Sequence, residues 1–159
     1  MINSMNIINQ FIKDFKLDPS SFEQEGYLRL HTNETCKIHI QINDDKTLIT
    51  FFSEVTDISK YDQLDLYKRL LTATYFGQET NQFHFGVNPE TYKLVLFKTI
   101  NDEVMNEGMF ENILNSLTQA VITWQEKIVN LVSQKDLFVE ASRGSSSGNK
   151  SSNPFFLPV

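Results

Sequence analysis

The chain has 159 residues, of which 40% are hydrophobic and 12% aromatic. That much apolar material fills the core of one domain, so wholesale disorder is not expected. Fourteen basic residues stand against 20 acidic ones, which gives a net charge of −6. Because nucleic acids and anionic membrane surfaces attract positive charge, this balance argues against both as partners. No run approaches the roughly 20 apolar residues that span a bilayer, so no membrane insertion is expected.

Residues that could carry catalytic or metal chemistry are scarce. The single cysteine, Cys36, removes disulfides and cysteine-based zinc sites, and residues 1–10 resemble neither a signal nor a transit peptide, so a cytosolic protein is expected. Cys36 and His39 would face opposite sides of a regular strand, which prevents a nucleophile–base pair. The three histidines lack metal-ligand spacing, and the glycines form no phosphate-binding loop. We therefore expect no enzyme activity, no cofactor and no metal.

Apolar periodicity predicts the elements of the first half of the chain. A helix ending before Asp18-Pro19 is indicated by apolar residues in steps of three and four. These residues are Met5, Ile8, Phe11, Ile12 and Phe15. Alternation predicts strands over Tyr27–Thr32 and Cys36–Ile42, and turn residues between them favour an antiparallel meander. A third strand, Thr47–Val55, carries apolar side chains on both faces.

The second half of the chain predicts two more strands between two helices. A helix over Gln63–Gly77 leads into a hairpin over Phe83–Lys98, whose return strand is again apolar on both faces. The closing helix runs from about Met109 to Val132. Residues 141–159 are rich in serine and glycine, so we expect a flexible tail attached to a single domain of residues 1–140.

The order of the elements is α-β-β-β-α-β-β-α. Grouped strands between separated helices predict an α+β fold with a mainly antiparallel five-stranded sheet. Two strands with two apolar faces must be covered on both sides. Helices of the same chain or a partner chain could each provide that cover.

This pattern resembles the class I type III secretion chaperones of the Tir-chaperone type, over about residues 4–135. Two stretches, Leu70–Gly77 and Phe83–Leu96, carry most of the resemblance. In that family a Leu-Leu-x-Ala-Asn helix end leads into two strands and then a long helix with a large residue such as Trp124. Thr74 stands where asparagine is common, which is a departure from the family pattern.

The resemblance implies a homodimeric chaperone of the bacterial cytoplasm, without ATPase activity. Such a protein binds the N-terminal chaperone-binding segment of a secreted effector in extended form, and the export-apparatus ATPase is a further partner. Helix Gln63–Gly77 and hairpin Phe83–Lys98 would supply the dimer interface. The candidate interface residues are Leu71, Tyr75, Phe76 and Phe85.

The effector segment is predicted to bind beside the opening helix, in a groove at the margin of the first strands. The candidate contact residues are Ile8, Phe11, Ile12, Phe15, Leu28, Leu30, Ile38, Ile40, Ile49 and Phe51. Because the sequence does not tell which sheet face the helix covers, we expect some of these residues to be core instead.

Two other classes of function stay open. A small α+β ligand-binding or regulatory protein-interaction module without catalysis would need an enclosed pocket, whereas a chaperone needs open grooves. A minimal enzyme using Cys36 or the histidines would need a converging polar cluster, which the strand geometry disfavours.

Overall fold

The structure is a computed structural model that describes residues 4–14, 26–31, 36–43, 45 and 47–144. It has two compact units, Met1–Glu126 and Lys127–Val159. The elements, in chain order, are α1 (Ser4–Asp14), β1 (Tyr27–His31), β2 (Lys37–Ile42), β3 (Leu48–Asp57), α2 (Gln63–Thr74), β4 (His84–Val87), β5 (Lys93–Asn101) and α3 (Glu107–Gly144). Short 3-10 turns at Tyr75–Gly77 and Asp102–Val104 follow α2 and β5. The predicted α+β order is confirmed.

All five strands form one antiparallel sheet in the order β1-β2-β3-β5-β4. Strand β3 is central: it pairs with β2 from Ile49 to Ser53 and with β5 from Leu48 to Asp57. The register between β3 and β5 shifts between Glu54 and Thr56, which marks a bulge. Strands β1 and β4 are therefore the two edges of the described sheet.

One face of the sheet packs against α1 and α3. The Phe51 ring of β3 lies 5.7 Å from the Phe110 ring of α3. Phe110 in turn meets the Phe11 ring of α1 edge-on at 5.1 Å. Edge-to-face pairs stabilise by about 0.5–1.5 kcal/mol each beyond the area that they bury. This aromatic stack holds both helices over the same sheet face.

Helix α2 ends three residues before the predicted glycine. Asp62 is the N-cap of α2, and its side chain accepts a hydrogen bond from the Asp65 amide. The helix ends at Thr74. Gly77 adopts a φ of +66° in the turn that follows. A Cβ there would lie 2.9 Å from the Gln82 Cα, so the turn requires glycine at this position.

Helix α3 is longer than predicted at its C-terminal end. Asn106 caps its start by accepting from the Met109 amide at 2.9 Å. The helix continues to Gly144, beyond the predicted end near Val132. Residues 133–143 lose the apolar period but include good helix formers such as leucine, glutamate, alanine and lysine, which explains the extension. Residues 145–159, most of the predicted tail, lie outside the described part.

No helix among the described residues is both long and apolar enough to cross a membrane.

Replacing Gly77 with alanine tests the turn after α2. We expect Gly77→Ala to lower the free energy of unfolding by about 1–2 kcal/mol or more, because the left-handed backbone disfavours a Cβ and the Gln82 backbone blocks it. Gly108→Ala is the matched control: its Cβ would meet Asn106 only at 3.6 Å, so this change should be neutral or stabilising. Urea unfolding midpoints measure both. An unchanged midpoint for Gly77→Ala would contradict the turn geometry.

Candidate functional site

Most residues predicted to contact an effector lie in the core. The strand residues of this set lie on the sheet face that α1 and α3 cover, and Ile8 and Ile12 belong to α1 itself, so these side chains offer a partner almost no surface. The exposed fractions are 0% for Ile38, Ile49 and Phe51, 1% for Ile8, Leu28 and Ile40, 5% for Leu30 and 9% for Ile12. Phe11 is half-buried. Phe15 lies outside the described residues.

The predicted dimer residues divide into two groups. Leu71, Tyr75 and Phe76 are 68–74% exposed in the single chain. Phe85 instead points inward, where its ring meets the Trp124 ring of α3 at 4.8 Å and almost perpendicular. The exposed group therefore remains available to a second chain, and Phe85 contributes to packing within its own chain.

Exposed apolar side chains cluster along one side of α2 and the turn that follows. We call Leu64, Leu71, Tyr75 and Phe76 the α2 surface. The Tyr75 and Phe76 rings lie 4.3 Å apart. Phe76 has a φ of +53°, which is costly for a bulky residue, and Gln82 Nε2 donates to its carbonyl at 3.3 Å. Backbone strain tends to occur at functional sites, and here it accompanies an exposed aromatic side chain, so the α2 surface is a candidate interaction surface.

A second apolar surface lies on the sheet face opposite α1 and α3, which we call the open face. Phe52 of β3 and Val95 and Phe97 of β5 are half-buried there. Together with the β4–β5 turn they line an open groove of about 490 Å³. The sequence held the signal for this surface, since both strands are apolar on two faces, but it did not indicate which face the described helices leave uncovered.

Four aromatic rings and one arginine form a row that crosses the open face at right angles to the strands. Its five members are directly opposite one another in register, one on each strand: Arg29, His39, Phe52, Phe97 and His84. The His39 ring stacks on Phe52 at 4.8 Å and 14°, and the His84 ring lies 5.8 Å from Phe97. The Tyr27 hydroxyl is hydrogen-bonded to His39 Nδ1. We call this set the aromatic row.

Burial and nearby positive charge keep His39 neutral. Desolvation is the main cause that lowers the pKa of His39 below 6.5, and the Arg29 guanidinium is the next. Lys37 and His31 act in the same direction, while Glu54 opposes them. A neutral imidazole suits a ring that stacks on Phe52 and bonds to a phenol.

The single cysteine of the chain lies in the core. Cys36 is fully buried, with its Sγ 3.7 Å from the Ser53 hydroxyl. Among the described residues, no group of three histidine, cysteine or carboxylate side chains could hold a metal ion. What the fold brings together is apolar and aromatic surface on the open face and along α2.

The fold is shared with solved complexes. The ExsC–ExsE complex contains a chain that is 19% identical, with a TM-score of 0.66 over 79% of this chain and 94% of that one. The HopA1–SchA chaperone–effector complex gives 11% identity and a TM-score of 0.62 over 79% and 94%. The ExoU–SpcU complex from the type III secretion system of Pseudomonas aeruginosa gives 18% and 0.56 over 82% and 97%. At these identities the likeness shows the fold alone.

These similarities define the fold, and the sequence identifies the family. Residues 6–125 match the model of the Tir chaperone protein (CesT) family. The chain belongs to this family, as its resemblance predicted. No curated protein sequence matches the chain.

Acidification should weaken the fold through His39. The pKa of His39 is lower in the folded chain than the 6.5 of the unfolded chain, so just below pH 6.5 the unfolded chain binds more protons. The free energy of unfolding is therefore full above pH 6.5 and falls as the pH drops from 6.5 through the pKa of the folded chain. We expect the urea midpoint of the wild type to fall between pH 7.5 and 5, and to fall less in His39→Gln. An equal fall in both proteins would show that His39 is not responsible.

Proposed function

We propose that the chain is a type III secretion chaperone that binds the N-terminal segment of a secreted effector in extended form. The bound effector stays soluble and competent for export from the bacterial cytoplasm. Family membership supports this, and the similar HopA1–SchA structure is a chaperone–effector complex. The observation that carries the proposal is the open face, where apolar side chains of β3 and β5 remain accessible.

The geometry of the open face suits an extended polypeptide. A strand presents every second side chain to one side, so alternate apolar residues of an effector segment can enter the groove beside Phe52, Val95 and Phe97. Each Å² of apolar surface removed from water stabilises the complex by roughly 25 cal/mol. The edge strands β1 and β4 also offer backbone groups for strand addition.

We further propose that two copies pair through the α2 surface. Leu71 and Phe76 are each 74% exposed, and the strained turn holds Phe76 outward instead of letting it fold back. A two-fold contact would bury the same patch on both chains, which is the usual arrangement in homodimers. The export-apparatus ATPase as a further partner rests on the family resemblance.

The open groove favours a polypeptide over a small ligand. Small-molecule sites enclose most of the ligand surface. The groove on the open face is exposed to solvent along its length, so an enclosed ligand module is the weaker interpretation.

Two adjacent phenylalanines on opposite faces of β3 test the effector site. Phe52→Asp should weaken binding of an effector segment by about tenfold or more, because a charge is desolvated in the contact, while the fold persists. Phe51→Asp, in contrast, should unfold the chain, since Phe51 is fully buried against Phe110. The measurement is co-purification with the N-terminal segments of candidate secreted proteins from the same genome, each expressed with the wild type or a variant.

Circular dichroism of each variant accompanies the binding assay. If no candidate segment is retained and solubilised by the wild-type chain, the proposed chaperone function is wrong. If Phe52→Asp retains the segment fully while remaining folded, the effector binds elsewhere and the open face is excluded.

The double variant Leu71→Ser/Phe76→Asn tests the dimer. Asparagine tolerates a left-handed backbone, so the turn should persist while the apolar contact is lost. Light scattering at micromolar concentration should give twice the 18.4 kDa chain mass for the wild type and a single chain mass for the variant. Lys60→Ala, an exposed change in the turn between β3 and α2, is the control and should leave the dimer intact. A monomeric wild type would end the dimer proposal.

A further inference from the structure

One side of the groove on the open face has a gap, because a glycine stands where a side chain would line it. Gly86 lies on the edge strand β4, directly opposite Val95 of β5. The neighbouring residue of β4 on the same face, His84, lies opposite Phe97. Gly86, Val95 and Phe97 all line the groove. The β4 side of the groove is therefore backbone alone at residue 86.

Neither the backbone of β4 nor the space beside it requires a glycine here. Among the described residues, the glycines with a positive φ are Gly26 and Gly77, so Gly86 has a backbone conformation that other residues adopt. A Cβ on Gly86 would lie 3.4 Å from Cε1 and 3.6 Å from Cδ1 of Phe97, which is ordinary van der Waals contact. A glycine weakens a strand, because it costs more backbone entropy and packs no side chain. Folding thus gives no reason for a glycine at this position.

The gap gives access to the Phe97 ring. This ring is half-buried, with Phe52 opposite it on β3 and the His84 ring 5.8 Å away on β4. A side chain at residue 86 would lie against the Cδ1–Cε1 edge of the Phe97 ring. Because glycine has no side chain, that edge stays open to a side chain from another polypeptide. A glycine within a strand often marks a place where a ligand or another backbone approaches closely.

We propose that Gly86 makes room for one bulky apolar side chain of the bound segment, which packs on the open edge of the Phe97 ring. This inference rests on the proposed chaperone function and adds a preference at one position of the segment. An aromatic side chain suits the gap best, because two rings gain from edge-to-face packing beyond the area that they bury. The groove of about 490 Å³ is open to solvent, so the rest of an extended segment can continue across the open face.

Two synthetic peptides that differ in one side chain test the inference. Both have the same alternating valine and serine residues, with phenylalanine at the centre of one peptide and alanine at the centre of the other. Fluorescence anisotropy should show the phenylalanine peptide binding the wild-type chain about tenfold more tightly, because a ring buries more apolar surface than a methyl group. Equal affinities of the wild type for the two peptides would overturn the inference.

Filling the gap should remove the preference without harming the fold. We expect Gly86→Val to reduce the preference to about twofold or less, while the urea midpoint stays the same or rises because valine favours a strand. Gly86→Ala adds only the Cβ, which fits beside Phe97, so it should fold like the wild type and show an intermediate preference. His31→Val is the matched control: this residue is exposed on the open face of the other edge strand, β1, and its replacement should keep the full preference.

Three results with these variants would overturn the inference. A full preference in both Gly86 variants would show that the phenylalanine binds elsewhere. A urea midpoint that falls in both Gly86 variants would show that the glycine has a structural role. Loss of the preference in His31→Val would show that the effect is not local to Gly86.

The remaining outcomes separate this inference from the proposed function. If the wild type binds both peptides equally and Phe52→Asp weakens both, the open face binds polypeptide and the inference about Gly86 alone is wrong. If the wild type binds neither peptide, the inference fails, while the co-purification of effector segments still decides the chaperone function. If Gly86→Val changes the mass measured by light scattering, the groove holds a second copy of the chain and the inference is overturned.

Discussion

The contact between Phe51 and Phe110 determines which face of the sheet is available to a partner. Strand side chains alternate, so once Phe51 is buried beneath α3, its neighbour Phe52 must point the other way. The same contact extends through Phe110 to Phe11 and brings α1 onto the covered face. The open face, its groove and its aromatic row are all consequences of the burial of Phe51 beneath α3. A binding surface is thus created by the packing of the core on the opposite side.

The sequence could not reveal which of the two sheet faces the helices cover. Periodicity predicted the order of helices and strands, because each element repeats its apolar residues at its own spacing. It also showed that β3 and β5 are apolar on both faces. Whether Phe51 or Phe52 is buried depends on Phe110 of α3, which lies far along the chain. The candidate effector-binding residues of the strands were therefore predicted on the sheet face that is core in the structure. The alternation of side chains along a strand shows which residues share a face, but it does not show which element covers that face.

The α2 surface shows a different limit of sequence reasoning. The sequence predicted Leu71 and Phe76 as dimer-interface residues, and in the single chain both side chains are exposed. It did not predict the left-handed backbone of Phe76, since bulky residues rarely adopt it. Tertiary contacts impose this geometry: Gln82 donates to the Phe76 carbonyl, and the Trp124 indole of α3 donates to the carbonyl of Glu79 at 3.2 Å. These hydrogen bonds, one of them from α3, override the backbone preference of Phe76.

Charge acts on the open face at long and at short range. A net charge of −6 makes copies of the chain repel one another, which keeps molecules with exposed apolar surface apart. At short range, burial first and then the Arg29 guanidinium lower the pKa of His39 and favour its neutral form. The His39 ring stacks on Phe52 and is hydrogen-bonded to the Tyr27 hydroxyl, so its protonation places a charge beside an apolar side chain of the groove. Because that charge is costly there, the burial that brings His39 next to the groove also makes the fold sensitive to acid.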